Sequence, residues 1–454
     1  MSEHDVIVIG AGPAGEVACG QLADEGLDVC LVERELVGGE CAFWACMPSK
    51  ALLRPGDLLA EAGRVPGVSE ACDGELDTAT ILERRDEVIH DLDDDVQLPW
   101  LRERSIHLVR GQARFAGERR LRVGDELLQA RRAVIIATGS GADIPPIGEL
   151  REIAPWTNRE ATTSKEVPAS LIVLGGGAVG CELAQAWRTL GTRVTLVEAL
   201  PRLLPAHEPF AAELLEQALR DRGVDVRTGA PATGAARTDG SFSLTLDGGE
   251  TLEAQELLVA IGRKPHTDDL GLEAIDLAPG ETIAVDDRMR VASHESWLYA
   301  VGDVNGRALL THAGKYQALV ACATIMNREA RAIWDRELAP QVVFTEPQVA
   351  AVGLTLERAL AAGVRARAVD ADPGRTPGGS FVGKGAAART RIVVDEEREV
   401  IVGATLVGTD VAESLQAATF AIVGEVPLGR LVHAMPAFPT RSEVWLKLLA
   451  DWAP

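Results

Sequence analysis

Near its start the chain carries an uninterrupted apolar run, Val6-Ile7-Val8-Ile9, that stops at a glycine turn. A short β-branched run bounded this way predicts a strand. The turn reads Gly10-Ala11-Gly12-Pro13-Ala14-Gly15 and leads into a helical stretch. A second apolar run, Val29-Cys30-Leu31-Val32, then ends in Glu33. The same order returns later: Leu171-Ile172-Val173-Leu174, then Gly175-Gly176-Gly177-Ala178-Val179-Gly180, a helix, and Val194-Thr195-Leu196-Val197-Glu198. In both copies the acid falls 18 residues after the third glycine.

Each copy also has a later apolar run ending in glycine. These are Ala133 to Ser140, containing the turn Ala137-Thr138-Gly139, and Leu257 to Arg263, containing Gly262. Pro145-Pro146 and Pro265 follow them and mark crossings between domains. A further strand and turn runs from Trp297 to Asp303. From about residue 340 the pattern changes to antiparallel strands, Val342–Thr345, Arg391–Val394 and Val400–Ala404, with helices between and after them. The fold class read from this is α/β: two Rossmann-like dinucleotide-binding domains and a C-terminal α+β domain.

The doubled device has a specific physical meaning. The first glycine permits a tight turn, the second lets backbone approach a pyrophosphate, and the third lets helix and strand pack closely. The helix N-terminus offers free N–H groups to the phosphates, and the acid accepts from ribose hydroxyls. One such pattern is weak evidence. Two, each with its strand before and its acid after, point to two bound dinucleotides.

Composition narrows the classes. The 454 residues suggest about three domains, and the 25% charged and 46% apolar content is ordinary for a globular chain. A net charge of -23 argues against a nucleic-acid partner. No apolar run reaches membrane-spanning length and no basic leader precedes the first strand, so no membrane partner and a cytoplasmic location are expected. In that compartment the seven cysteines are mostly reduced, and a disulfide would be catalytic or regulatory. Cys19, Cys30, Cys72, Cys181 and Cys322 are isolated and read as buried structural thiols. Cys41 and Cys46 differ. They sit in Gly38-Gly39-Glu40-Cys41-Ala42-Phe43-Trp44-Ala45-Cys46-Met47-Pro48-Ser49-Lys50, directly after the first dinucleotide device. On a helix, positions so spaced lie about one turn apart and can close a disulfide. No metal site is expected.

Together these residues resemble the class I pyridine nucleotide–disulfide oxidoreductases, a family that includes dihydrolipoamide dehydrogenase, glutathione reductase and mercuric reductase. The resemblance covers nearly the whole chain. It implies an FAD domain (1–150 and 266–338) split by an NAD(P) domain (151–265), then a dimerisation domain (339–454) and a homodimer. Gly10, Gly12, Gly15 and Glu33 would bind the ADP half of FAD. Ala137, Thr138, Gly139 and Asp303 would add later FAD contacts, with Asp303 on the ribityl chain. Gly175, Gly177, Gly180, Glu198 and Gly262 would form the nicotinamide-dinucleotide site. A carboxylate at Glu198 favours NADH over NADPH, because it repels a 2′-phosphate. Lys50 and Glu182 match a pair beside the hydride-accepting nitrogen of the flavin. The implied route runs from NADH to FAD to the Cys41–Cys46 disulfide, with Cys46 on the flavin side and Cys41 outermost.

The resemblance has two departures. Disulfide reductases of the family end in His-Pro-Thr-x-x-Glu, whose histidine, presented by the partner subunit, moves the proton during exchange. Aligning on Pro439-Thr440-Arg441-Ser442-Glu443 puts Phe438 at the histidine position, and aligning on Pro436 puts Met435 there. Glu443 keeps its place, and His433 is the candidate substitute base. No cysteine follows Cys322, so the C-terminal pair of mercuric reductases is absent. Phe43 and Trp44, between the thiols, either shape a pocket for a flat acceptor or pack in the core. The expected activity is reduction of a small disulfide or other electrophilic acceptor without the usual base. The alternatives are an NADH:quinone or diaphorase-type reductase, with electrons passing directly from the flavin, and a redox-sensing subunit without turnover.

Overall fold

The first apolar runs form the centre of a parallel sheet. The computed structural model of the chain describes residues 1–72, 75–294, 296–336 and 338–453. They divide into two compact units: Met1–Pro48, Asp86–Asp143 and Gly262–Ala339 in the first; Ser49–Arg85, Ile144–Ile261 and Pro340–Pro454 in the second.

In the first unit, strand Ser2–Ile9 pairs in parallel with Val29–Glu33 on one side and with Glu126–Ile136 on the other. His107–Arg110 extends one edge, and Leu298–Ala300 pairs in parallel with Glu126–Ile136. Two antiparallel strands, Arg120–Val123 and Ala113–Gly117, complete the sheet. Both faces are covered. Val6, Val8 and Leu31 point into one apolar cluster with Cys19, Leu22 and Cys322, while Ile7, Ile9 and Cys30 point into another with Leu121 and Trp297. This explains the unbroken apolar run, because a strand buried on both sides needs no polar alternation.

The second unit repeats the device. Ser170–Leu174 lies between Arg193–Val197 and Glu256–Val259, all parallel, with Asp225–Arg227 at the edge. The unit also holds a three-stranded antiparallel sheet (Ala232–Thr238, Ser241–Leu246, Thr251–Ala254) and a five-stranded antiparallel one. The latter runs in the order Gln341–Val343, Gln348–Gly353, Val400–Gly408, Arg389–Asp395, Ala366–Ala371. Three of these five correspond to the strands read from the sequence. Gln348–Gly353 and Ala366–Ala371 were not anticipated, since both are rich in alanine, a weak strand former.

The turns are close-packed in the same way. Gly10 and Gly175 have φ of 100° and 116°, a region that disfavours side chains. A Cβ on Gly15 or Gly180 would lie 1.9 Å from the carbonyl oxygen of Gly10 or Gly175 respectively. By contrast, nothing lies within 4 Å of where a Cβ on Gly12 or Gly177 would stand.

Four of the five isolated cysteines are buried as expected, and burial raises the thiols of Cys30 and Cys322 to about 12. Cys72 is the exception. It is exposed, because it follows the polar one-turn helix Ser69–Ala71 and no apolar layer lies over it. Among the described residues, no helix is long and apolar enough to cross a membrane.

Gly180→Ala is expected to lower stability by about 1–3 kcal/mol through overpacking. Gly12→Ala, with open space at its Cβ, should change it by under about 0.5 kcal/mol. Thermal melts of the two variants check this, and equal loss in both would contradict the packing account.

Candidate functional site

The two glycine turns place their acids identically. Glu33 accepts from the backbone N–H of Ala11 at 2.6 Å and of Glu35 at 2.7 Å. Glu198 accepts from Gly176 N at 2.6 Å and from Leu200 N at 2.7 Å. Each acid is thus held against its own turn at the carboxyl end of a parallel strand, where open α/β sheets bind ligands. The helices Pro13–Asp24 and Ala178–Thr189 start at Gly12 and Gly177, and neither glycine has a side chain to cap the free N–H groups.

In the first unit a cleft beside this turn is lined by Gly10, Glu33, Arg34, Gln112, Thr138 and His266. The Thr138 hydroxyl is buried there with no hydrogen-bond partner, which is costly unless a ligand supplies one. A cradle open at Gly12, an orphaned hydroxyl and a fixed acid fit the ADP half of FAD. Gly139 sits at φ 67°, and its carbonyl accepts from His266 N at 3.0 Å. Asp303 accepts from the Ser140 hydroxyl at 2.6 Å, and Arg263 donates to that hydroxyl at 2.7 Å. Burial raises the Asp303 carboxyl above the usual range, against the Ser140 hydrogen bond and the Arg263 charge. Gly262 O accepts from Asp143 N at 3.0 Å.

The cysteine segment is docked on the same turn. Gly38 N donates to Ala11 O at 2.8 Å, and a Cβ on Gly39 would lie 2.7 Å from Gly12 Cα. The two thiols do not share one helical turn, as the spacing had suggested. Cys41 lies in the short helix Gly39–Phe43, and Cys46 begins the helix Cys46–Arg64. The break at Trp44 and Ala45 still leaves both thiols on one hydroxyl: Thr311 Oγ1 is 3.3 Å from Cys41 Sγ and 3.4 Å from Cys46 Sγ. The hydrogen bond with Cys46 raises the Cys41 thiol strongly, and burial adds to it, while Thr311 and the charge of Lys315 oppose. Phe43 is buried and closes against Gly38, so its place is in the core, while Trp44 is half-buried.

The second unit assembles the other expected pair. Lys50 Nζ lies 2.8 Å from Glu182 Oε2 and 4.7 Å from the centre of the Phe344 ring. The other Glu182 oxygen accepts from Phe344 N at 2.8 Å, which satisfies this buried carboxylate twice. The C-terminal pair is not assembled: among the described residues no hydrogen bond or ion pair joins His433 to Glu443. Glu443 is buried and accepts from Thr440 N and Gly378 N, closing the first turn of its own helix. Met435 and Phe438 are exposed.

Thr311, Lys315, Arg263 and Phe344 were not picked out from the sequence. Arg263 had a visible signal, since it follows Gly262 directly. Thr311 had a weak one, a hydroxyl opening an apolar helix after Leu309-Leu310.

Residues 4–318 match the pyridine nucleotide-disulphide oxidoreductase family, and residues 339–449 match its dimerisation domain. A dihydrolipoyl dehydrogenase of Thermus scotoductus is 35% identical, covering 98% of this chain and 96% of its own. A mercuric reductase of Staphylococcus aureus is 28% identical, covering 99% and 82%. Among solved structures, the Cu(II) complex of the HOCl-induced flavoprotein disulfide reductase RclA from Escherichia coli has a TM-score of 0.85. It is 25% identical and covers 99% of this chain and 100% of its own. The chain belongs to the pyridine nucleotide–disulfide oxidoreductase family and is an oxidoreductase acting on sulfur groups, with FAD and NAD(P)H as its cofactors.

Thr311→Val should raise the Cys41 thiol further, because it removes a donor that favours the thiolate. Thr311→Ser should not. Ultraviolet thiolate absorbance of the reduced protein against pH separates the two, and coincident curves would remove Thr311 from the site.

Proposed function

We propose that this chain is a homodimeric, NADH-dependent flavoprotein whose Cys41–Cys46 pair reduces a small disulfide or another electrophilic acceptor without the histidine base. The observation that carries the reading is the Thr311 hydroxyl that both thiols share. FAD, when bound, supplies a two-electron carrier between the nicotinamide and the thiols. Gly12, Glu33 and Thr138 would hold it, with Asp303 on its ribityl chain. Glu198, fixed by two backbone N–H groups, would accept from the nicotinamide dinucleotide's adenosine ribose and disfavour a 2′-phosphate.

In exchange, Cys41 Sγ attacks one acceptor sulfur, the acceptor S–S bond breaks, and a mixed disulfide forms. Cys46 Sγ then attacks Cys41 Sγ, closing the pair and releasing the second thiolate. The two departing thiolates take up, by way of solvent, the two protons that the Cys41 and Cys46 thiols give up. A positioned general acid contributes about 10²–10⁴-fold to such a transfer. With Phe438 in the histidine position, acceptors whose thiolates are stable anions gain most, because they leave without help. Aromatic disulfides are of this kind, and dihydrolipoamide-type alkyl dithiols are not. Phe381, Phe420, Met435 and Phe438 are each at least 67% exposed in the region that matches the dimerisation domain, and burial against a second copy of the chain would cover such side chains.

Anaerobic titration with NADH tests the coupling. Uptake of two electron pairs, with a long-wavelength thiolate–flavin band, is expected. Uptake of one pair, with only the flavin reduced, would sink the reading. Cys41→Ser should abolish reduction of an aromatic disulfide yet spare direct quinone reduction.

A further inference from the structure

The turn that carries Asp303 is held by one helix. Gly302 turns the chain at φ 78°, and Asp303–Asn305 follows as a one-turn helix. The helix Thr311–Ile325 packs on this turn at Gly314, where a Cβ would lie 3.2 Å from Gly302 Cα. Three residues on, and so on the same face, stands Gln317, which is fully buried. Its Oε1 accepts from Gly302 N at 2.7 Å and from Asn305 Nδ2 at 2.8 Å. Its Nε2 donates to Asp335 Oδ2 at 2.9 Å.

These bonds belong to a closed circuit. The Arg307 guanidinium donates to Asp335 Oδ1 at 2.9 Å, and the Arg307 backbone N–H donates to Asn305 Oδ1 at 3.0 Å. Asn305, Gln317 and Asp335 are all buried, where an unmet donor or acceptor is costly. The circuit also fixes which way the Gln317 amide faces. A carboxylate only accepts, so Nε2 must turn to Asp335 and Oε1 to the Gly302 turn. The Asp303 side chain takes no part in the circuit. Ser140 donates to its Oδ2 at 2.6 Å, while its Oδ1 has no hydrogen bond among the described residues. The circuit thus holds the backbone around a carboxylate that still has an oxygen free for a ligand hydroxyl.

We propose that Gln317 and Asp335 are positioning residues for FAD: they hold the Gly302–Asp303 turn in the shape that meets the ribityl hydroxyls, and so set how firmly the flavin is retained. The proposal rests on the reading above that places Asp303 on the ribityl chain. A group that must be ordered at binding costs affinity, and one that is already ordered does not. Both residues act through Gly302 N and Asn305, and not by touching the ligand. Their effect therefore falls on retention of the cofactor and leaves the thiol chemistry as described.

The test reads retention directly. The FAD-loaded enzyme is diluted and ultrafiltered, and FAD in the filtrate gives the dissociation constant. Gln317→Leu leaves Gly302 N and Asn305 Nδ2 without their acceptor and should weaken retention about tenfold. Gln317→Glu sets two carboxylates against each other and should weaken it as well. Combining Gln317→Glu with Asp335→Asn reverses the polarity of that one hydrogen bond and keeps the acceptor on the turn. This exchanged pair should recover retention to within about twofold. Asp303→Ala should itself release FAD, and adding Gln317→Leu to it should cost no more than about twofold further, because the two act in series. Unchanged retention in Gln317→Leu overturns the proposal. So do independent, additive losses in the Asp303→Ala double variant, or an exchanged pair that does not recover. Where Gln317→Leu does not fold, Gln317→Glu and the exchanged pair decide. If Asp303→Ala retains FAD as the unaltered enzyme does, the ribityl reading fails and the proposal with it. If Asp303→Ala loses FAD and the Gln317 variants do not, the reading stands and the proposal alone falls.

Discussion

Ala11 is the residue on which the site turns. Its N–H is taken by Glu33 at 2.6 Å and its carbonyl by Gly38 at 2.8 Å. The first bond fixes the acid that faces the dinucleotide cleft. The second fixes the segment that carries Cys41. Both bonds exist only because Gly10 turns the chain at positive φ and Gly15 lets the helix approach the turn. A side chain at either glycine would push the helix off the strand and carry the acid and the thiols with it. The second copy keeps the acid bond at Gly176 but uses the carbonyl differently, for Leu204 N at 2.9 Å and the Cys181 thiol at 3.4 Å. One scaffold thus serves two tasks, and the difference lies in what docks on a single carbonyl.

The thiol pair depends on a balance of opposing terms. Burial and the bond to Cys46 raise Cys41, while Thr311 and Lys315 lower it. A thiol raised too far is inert as a nucleophile, and one lowered too far is a weak one, so the useful range is near ambient pH. In a site with an imidazole the base resolves this by removing the proton at the moment of attack. Without such a base, the groups around a thiol set in advance how much of it is ionised.

What was legible in the sequence was local. Strand, turn, helix and acid lie within about 25 residues, and their spacing is set by backbone sterics that only glycine escapes. What was not legible came from long range or from competition. Thr311 lies 270 residues from Cys41, and only the folded sheet brings them together. The helix break between the thiols could not be read from spacing, since Trp44 and Ala45 carry no strong breaker signal. Glu443 shows competition between two readings of one pattern. Thr440-x-x-Glu443 is also a capping box, and in the structure the carboxylate serves the helix end and not a histidine.

That last point bears on what Glu443 needs from its neighbours. In a His–Glu pair the glutamate orients the ring through a hydrogen bond and stabilises its cation. A carboxylate already bonded to Thr440 N and Gly378 N keeps its structural role whatever stands at 438. Glu443 is therefore not a buried, unpaired charge in a chain that carries phenylalanine at 438. Removing a ring whose partner depended on it would leave such a charge, at a cost of about 3–5 kcal/mol. Because Glu443 is satisfied by backbone N–H groups, the C-terminal segment needs no histidine to hold its fold.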